Sequence, residues 1–273
     1  MTELSSYHNH SRWSDGVASP EEMYRAAKAA GLREFGLSDH WVIPPGEEGY
    51  GAGTWRLPTD RLAEYVSECL YWKERLDDAN FTIRIGLEVD YFEENHQEVL
   101  AGLENYPFDY LIGAVHYQGT FPIDQDAKLW QGLSDQQTAE VWDGYWRKIA
   151  GLARTRRFSF VAHLDLPKKF FAAGGYPSQS SALSQTLRVL QECDLALELN
   201  TAGWAKPCGE PYPALPALRE ARQLGLPVLI NADAHHPEHV CRFFPEARQM
   251  LKEAGYQQVC TFRQRQRILQ PLP

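Results

Sequence analysis

Short apolar runs alternate along this chain with helix-like segments, and nearly every run ends in an ionisable side chain. The strand candidates are SSYHNH (5–10), EFGLSDH (34–40), TIRIGLEVD (82–90), YLIGAVHY (110–117), FSFVAHLD (158–165), LALELNT (195–201) and PVLINADAH (227–235). A weaker eighth, YQQVCTF, spans 256–262. Runs rich in branched residues suit strands buried on both faces. Ser19 is placed to cap a helix, with Pro20 opening it, Glu22 completing a capping box and Gly31 ending it. Thr59 predicts a helix running to about Asp78, and Ser134 one running to about Arg156. Two more, Leu215 to Leu224 and Pro245 to Ala254, stop at Gly225 and Gly255.

Alternating strand and helix means a parallel sheet, open or closed into a barrel. The ionisable strand ends favour the barrel, in which the carboxyl ends of all strands share one mouth. An open doubly wound sheet gathers ligands only at its switch point. No Gly-rich phosphate or dinucleotide loop follows any strand. The expectation is one α/β domain over 1–273, a TIM-like barrel with rim loops at 46–53 and 118–126.

The 273 residues can bury roughly 75% of the surface exposed by the unfolded chain. No apolar run approaches the ~20 residues of a membrane helix. A formal net charge of −9 argues against a nucleic-acid backbone as partner. A small anionic substrate is still accommodated if metal ions supply positive charge. Five scattered cysteines without a CxxC pair exclude a zinc ribbon and argue against a disulfide framework. With no signal peptide visible, a reducing, cytoplasmic setting is expected. The oligomeric state is left open.

His8 and His10 are spaced i, i+2 on a strand, so both imidazoles point to one face. Asp15 follows in SDG, a turn able to fold back towards them. His40, Glu88, His116 and His163 end successive strands, and Asp233 and His235 repeat the i, i+2 spacing. A single strand-end histidine is usually a hydrogen-bonded structural residue. Nine such groups at one mouth are different: without cations the carboxylates repel and the imidazoles lack partners. His96, His236 and His239 read as surface residues. The set is too large for one tetrahedral zinc and suits two or three ions. Mixed nitrogen and oxygen ligands without thiolate suit Zn, Mn or Fe. Clustered metal ions answer the high barrier to phosphomonoester hydrolysis.

HNHSRWSDG, SDH, GLEVD, GAVHY, AHLDL and NADAH resemble, in order, the motif series of the polymerase-and-histidinol-phosphatase (PHP) domain, across about residues 7–270. GLEVDYFEE, FDYLIGAVHYQGTFPID, AHLDLPKKF and the LELNTAG segment are most similar to its monofunctional histidinol-phosphate phosphatases. The resemblance implies a distorted (β/α)₇ barrel with a trinuclear centre. It places His8, His10, Glu88 and Asp233 around one ion, and Asp15, His40 and His235 around a second. Glu88 bridges to a third, held with His116 and His163. It further implies hydrolysis of L-histidinol phosphate to L-histidinol and phosphate by a metal-bridging hydroxide, in histidine biosynthesis. Asp15, His40 and His235 would act through that hydroxide.

Departures from the family pattern bear on substrate rather than chemistry. Ala205 falls where an arginine is common, Lys168 and Lys169 where basic residues occur, and Ala114 where a serine is usual. Candidate phosphate contacts are Lys206, Lys168, Lys169, Arg12 and Arg242. Trp41, Tyr117 and Trp204 are candidate pocket walls, and Glu48, Asp90 or Glu210 a carboxylate for a cationic substrate head. Ala205 motivates an alternative substrate, a nucleotide or sugar phosphate. A non-catalytic accessory role is the reading from another class.

Overall fold

The computed structural model describes residues 4–46, 48–51, 53–172, 174–175 and 180–273. The first half runs β1 (Ser5–Ser6), α1 (Pro20–Ala29), β2 (Glu34–Leu37), β3 (His40–Trp41), α2 (Leu62–Leu76), β4 (Thr82–Ile85), β5 (Glu88–Asp90), α3 (His96–Gly102) and β6 (Ile112–Ala114). A small hairpin follows, β7 (Tyr117–Gln118) and β8 (Phe121–Pro122), then α4 (Ala127–Gln131) and α5 (Asp135–Arg154). The second half adds β9 (Phe160–Val161), α6 (Ser181–Glu192), β10 (Ala196–Asn200), α7 (Leu215–Gln223), β11 (Val228–Asn231), α8 (Phe244–Glu253), β12 (Gln258–Arg263) and β13 (Gln266–Pro271).

The fold is α/β with parallel sheets. β1, β2 and β4 form one, and β11, β10, β9, β6, β5 and β3 the other, in those orders. The chain crosses between the two at Ser38–Asp39 and Gly86–Leu87, so two expected long strands are each split. Tyr110 explains the second break. A Cβ on Gly86 would lie 2.3 Å from its ring, whose hydroxyl donates to the Tyr7 and Leu37 carbonyls. Beyond β1, Asn9 forms a parallel bridge with Ala234, and the His10 amide donates to the Ala234 carbonyl at 2.8 Å.

Ser19 caps α1 with the expected capping box, and Ser134 caps α5 with Gln137 in the same way. Thr59 does not cap: a 3₁₀ turn, Thr59–Arg61, precedes α2, whose start has no side-chain cap. α6 was not expected, although Ser180 caps it by accepting from the Leu183 amide. One large core lies between strands and helices. A second is built from the strands themselves, with Tyr7, Tyr110, Ile112, Phe160, Leu229 and Phe262 in it.

The eighth expected strand does not extend the parallel series. β12 pairs antiparallel with β13, joined through Gln264 and Arg265, both at positive φ (50° and 67°). That two-residue turn lacks the Asn-Gly signature that marks such hairpins, so it was hidden. The hairpin is tied to the strands by Tyr7, whose hydroxyl accepts from the Phe262 amide and donates to Glu34. Asp109 accepts from the Gln264 amide. Among the described residues no helix is long and apolar enough to cross a membrane.

Candidate metal centre

His8, His10, His116, His163, Asp233 and His235 follow the carboxyl ends of β1, β6, β9 and β11, His40 and Glu88 open β3 and β5 where the chain leaves β2 and β4, and Asp15 is in the turn before α1. Glu88 is the hub. Its Oε2 is 2.8 Å from His40 Nδ1, 3.2 Å from His8 Nε2 and 3.6 Å from His10 Nε2. Its Oε1 is 2.9 Å from His163 Nε2 and 3.6 Å from His116 Nε2. Asp233 Oδ1 is 3.2 Å from His10 Nε2, and Asp15 Oδ2 is 3.2 Å from His235 Nε2. Asp15 reaches the cluster because its turn folds tightly over His10. A Cβ on Gly16 would lie 2.5 Å from the His10 carbonyl oxygen. Asp39 fastens that turn, accepting from the amides and hydroxyls of Ser11 and Ser14.

The donors fall into four overlapping groups, each able to hold an ion: His10, Asp15, His40, His235; His8, His10, Asp233; His8, Glu88, His163; and His40, Glu88, His116. The chemistry of the buried atoms fits metal ions. His8 Nε2, both nitrogens of His10, His40 Nδ1, Glu88 Oε2 and Asp233 Oδ1 are buried without a directional hydrogen bond, although opposite charges lie within ion-pair distance. Buried polar atoms are normally satisfied, and a divalent ion satisfies convergent lone pairs where hydrogen-bond geometry does not.

Carboxylates behind the ligands orient them. Glu198 lies 3.0 Å from His8 Nδ1 and also accepts from the His163 amide, Asn200 Nδ2 and Asn231 Nδ2. Asp90 accepts from the His116 amide and sits 3.1 Å from its Nδ1. A proton on each Nδ1 leaves the Nε2 lone pair facing the centre. Sequence reasoning missed Glu198 and gave Asp90 a different role. The available signal was Asp90 two residues after Glu88 and Glu198 within a fully apolar run.

Charge is balanced by protons in the metal-free protein. Burial opposes charging His116, but Asp90 and Glu88 outweigh it and push its pKa up to about 10. Burial likewise opposes charging His235, and Asp15 and Asp233 raise it to about 9. His10 falls to about 3 through burial and its neighbours His235 and His40. Glu88 is held well below the carboxylate range: burial is outweighed by His8, His40, His116 and His163.

A cavity of about 510 Å³ opens onto this centre. Lys169, Lys206 and Arg242, three of the candidate phosphate contacts, line it together with Asp124 and Tyr212. His236 and His239 also line it and are not simply surface residues, because the turn after β11 folds over the mouth. Two expected phosphate contacts are elsewhere. Lys168 is fully buried, donating from Nζ to Asp165 at 2.8 Å and to the Pro211 carbonyl at 2.6 Å. Arg12 turns outward to the Val17 carbonyl and Glu22. The expected walls differ too: Trp41 and Tyr117 are buried in the cores and Trp204 packs on Phe243. Trp55 instead stands edge-on to His40, ring centroids 5.0 Å apart. Positions 47 and 52 of the expected rim loop lie outside the described residues.

Comparison with known proteins agrees with this architecture. The chain is 32% identical over 97% of its length to a protein of Deinococcus radiodurans named probable histidinol-phosphatase, covering 98% of that protein. It is 24% identical to the histidinol-phosphatase of Lactococcus lactis, over 94% of this chain and 93% of that one. A crystal structure of histidinol phosphate phosphatase from Lactococcus lactis, complexed with zinc, L-histidinol and phosphate, shares the fold. Its TM-score is 0.82 at 22% identity, covering 97% of this chain and 99% of that one. Residues 6–202 match the PHP domain. With a matched region spanning most of its length and the ligand series in place at the strand ends, this chain belongs to the PHP domain family.

Proposed function

We propose that this protein is a metal-dependent phosphomonoester hydrolase that converts L-histidinol phosphate and water to L-histidinol and phosphate. The observation that carries it is one cavity lined both by members of all four ligand groups and by the cations Lys206 and Arg242. The names of the relatives and the zinc, L-histidinol and phosphate in the Lactococcus lactis structure support this substrate. Two to three divalent ions (Zn, Mn or Fe) would be held by His8, His10, Asp15, His40, Glu88, His116, His163, Asp233 and His235. Bound there, they would polarise the phosphoryl group and lower the pKa of water.

The chain's own residues divide the remaining work. Asp15 and His235 are the open side of the set, with side chains 34% and 37% exposed, so water and substrate arrive there. With His40 they orient the attacking water. Lys206 and Arg242 oppose the phosphoryl charge. Arg242 presents a buried Nε without a hydrogen-bond partner and so has a donor to give. Glu198 and Asp90 fix the imidazoles. The same reading takes the strands as a distorted seven-stranded barrel in a single domain, supported by the Asn9–Ala234 bridge between the chain segments following β1 and β11. It also takes the protein as cytoplasmic, with a small phosphorylated substrate as its partner.

Phosphate release after loading with Zn²⁺ or Mn²⁺ tests the reading. A kcat/KM for L-histidinol phosphate about a hundredfold above nucleotide and sugar monophosphates is expected. A flat profile or another winner rejects the substrate, and no turnover of any phosphomonoester by metal-loaded protein rejects the activity.

A further inference from the structure

We propose that Asp124 is the specificity residue of the mouth, receiving the ammonium group of an aminoalkyl phosphate; this rests on the substrate reading above. Four carboxylates line the cavity: Asp15, Glu88, Asp124 and Asp233. Three of them belong to the ligand groups, and Asp124 to none. The carboxylates nominated from sequence are committed or remote. Asp90 is taken up by the His116 amide and ring, and Glu210 does not line the cavity. Glu48 does not line the cavity.

Asp124 is placed by the β7–β8 hairpin, which leads the chain from His116 back over the mouth; the Ile123 amide donates to the His116 carbonyl. Lys169 reaches across and donates to the Asp124 carbonyl at 2.7 Å and to Oδ2 at 3.1 Å. The lysine thereby fixes the carboxylate's orientation while Oδ1 retains acceptor capacity, and the side chain is 31% exposed. Against its burial, the adjacent Lys169 ammonium favours the ionised carboxylate. Lys169, engaged in this way, is the poorer phosphate contact. Lys206 and Arg242 remain for the anionic end of a substrate, and Asp124 offers the negative charge that a cationic end requires. A plain sugar phosphate brings hydroxyl donors but no cation to pair with it.

The test is kinetic, on the metal-loaded enzyme, comparing L-histidinol phosphate with the amine-free p-nitrophenyl phosphate. Asp124→Asn keeps the shape and the hydrogen bond from Lys169 but removes the charge. The ratio of kcat/KM values, L-histidinol phosphate over p-nitrophenyl phosphate, should fall about 10- to 100-fold, the span of one charge-assisted hydrogen bond. Competitive inhibition by the product L-histidinol should weaken by a similar factor, while inhibition by inorganic phosphate moves less. An unchanged ratio, whether both activities fall together or neither falls, overturns the assignment and leaves Asp124 as an anchor for Lys169. If the unsubstituted enzyme has no preference for L-histidinol phosphate, the substrate reading has failed as well, and that is visible before any variant is made.

Discussion

Glu198→Gln probes whether the carboxylates behind the ligands hold the centre together. Glu198 is fully buried and accepts four hydrogen bonds, from His8, the His163 amide, Asn200 and Asn231. The two asparagines cannot turn to help. Asn231 Oδ1 accepts from the Tyr7 amide and Asn200 Oδ1 from the Ala202 amide, so both present NH₂ groups to Glu198. A glutamine places its own NH₂ among donors whichever way it faces. Leaving such donors unsatisfied costs about 1–3 kcal/mol. At about 2 °C per kcal/mol for a chain of this length, melting of the metal-free protein falls by about 2–6 °C. His8 also loses the anion that fixes its Nδ1 proton, and zinc affinity falls about 10- to 100-fold. Thermal melts in chelator measure the first effect and competition with a chromogenic chelator the second. A variant with unchanged melting temperature and unchanged zinc affinity refutes the reasoning.

Other outcomes are equally specific. His10→Ala removes a ligand shared by two of the four groups; turnover should vanish and metal content drop with circular dichroism retained, and full activity would sink the site. Lys168→Met leaves Asp165 buried without its cation and should cost about 3–5 kcal/mol in denaturant unfolding; a loss below about 1 kcal/mol would return Lys168 to consideration as a substrate contact. Metal loading should release protons. His116, raised to about 10, His235, raised to about 9, and His8, held against its burial well above its usual value by Glu198, Glu88 and Asp233, are protonated in the metal-free protein at pH 7.5. The raised pKa values of His116 and His235 stabilise that state fully below about pH 6.5, and this stabilisation fades as pH rises through about 9 to 10. Ligation needs neutral rings, so zinc affinity should climb with pH across this window. Calorimetry in buffers of different ionisation enthalpy should find about three protons released, one from each of the three raised imidazoles, and none released would contradict the assignment.

The nine candidate ligands were legible in the sequence because most sit at or near the end of an apolar run, and two pairs repeat the strand's period of two; the structure brings all nine together. Less visible was anything set by approach across the mouth. Lys168 and Lys169 are neighbours of one type, yet Asp165 draws one inward and Asp124 draws the other to the cavity. Nothing local separates them. Glu198 was hidden because a carboxylate inside an apolar strand has meaning only once His8 stands opposite. The β12–β13 hairpin was missed for want of Asn or Gly at its turn.

The candidate metal ligands come mostly from strand ends or the residues next to them, whereas Asp124, Lys169, Lys206 and Arg242 come from the hairpin, 3₁₀ turns and loop beyond them. Tyr7 and His8, adjacent in the chain, tie one strand to the hairpin floor and to the reacting centre respectively. On the proposed reading, residues at the strand ends would supply the chemistry, and residues of the outer turns the choice of molecule. A lineage built on this plan could exchange residues of its outer turns and change what it hydrolyses while the strand-end apparatus is inherited intact.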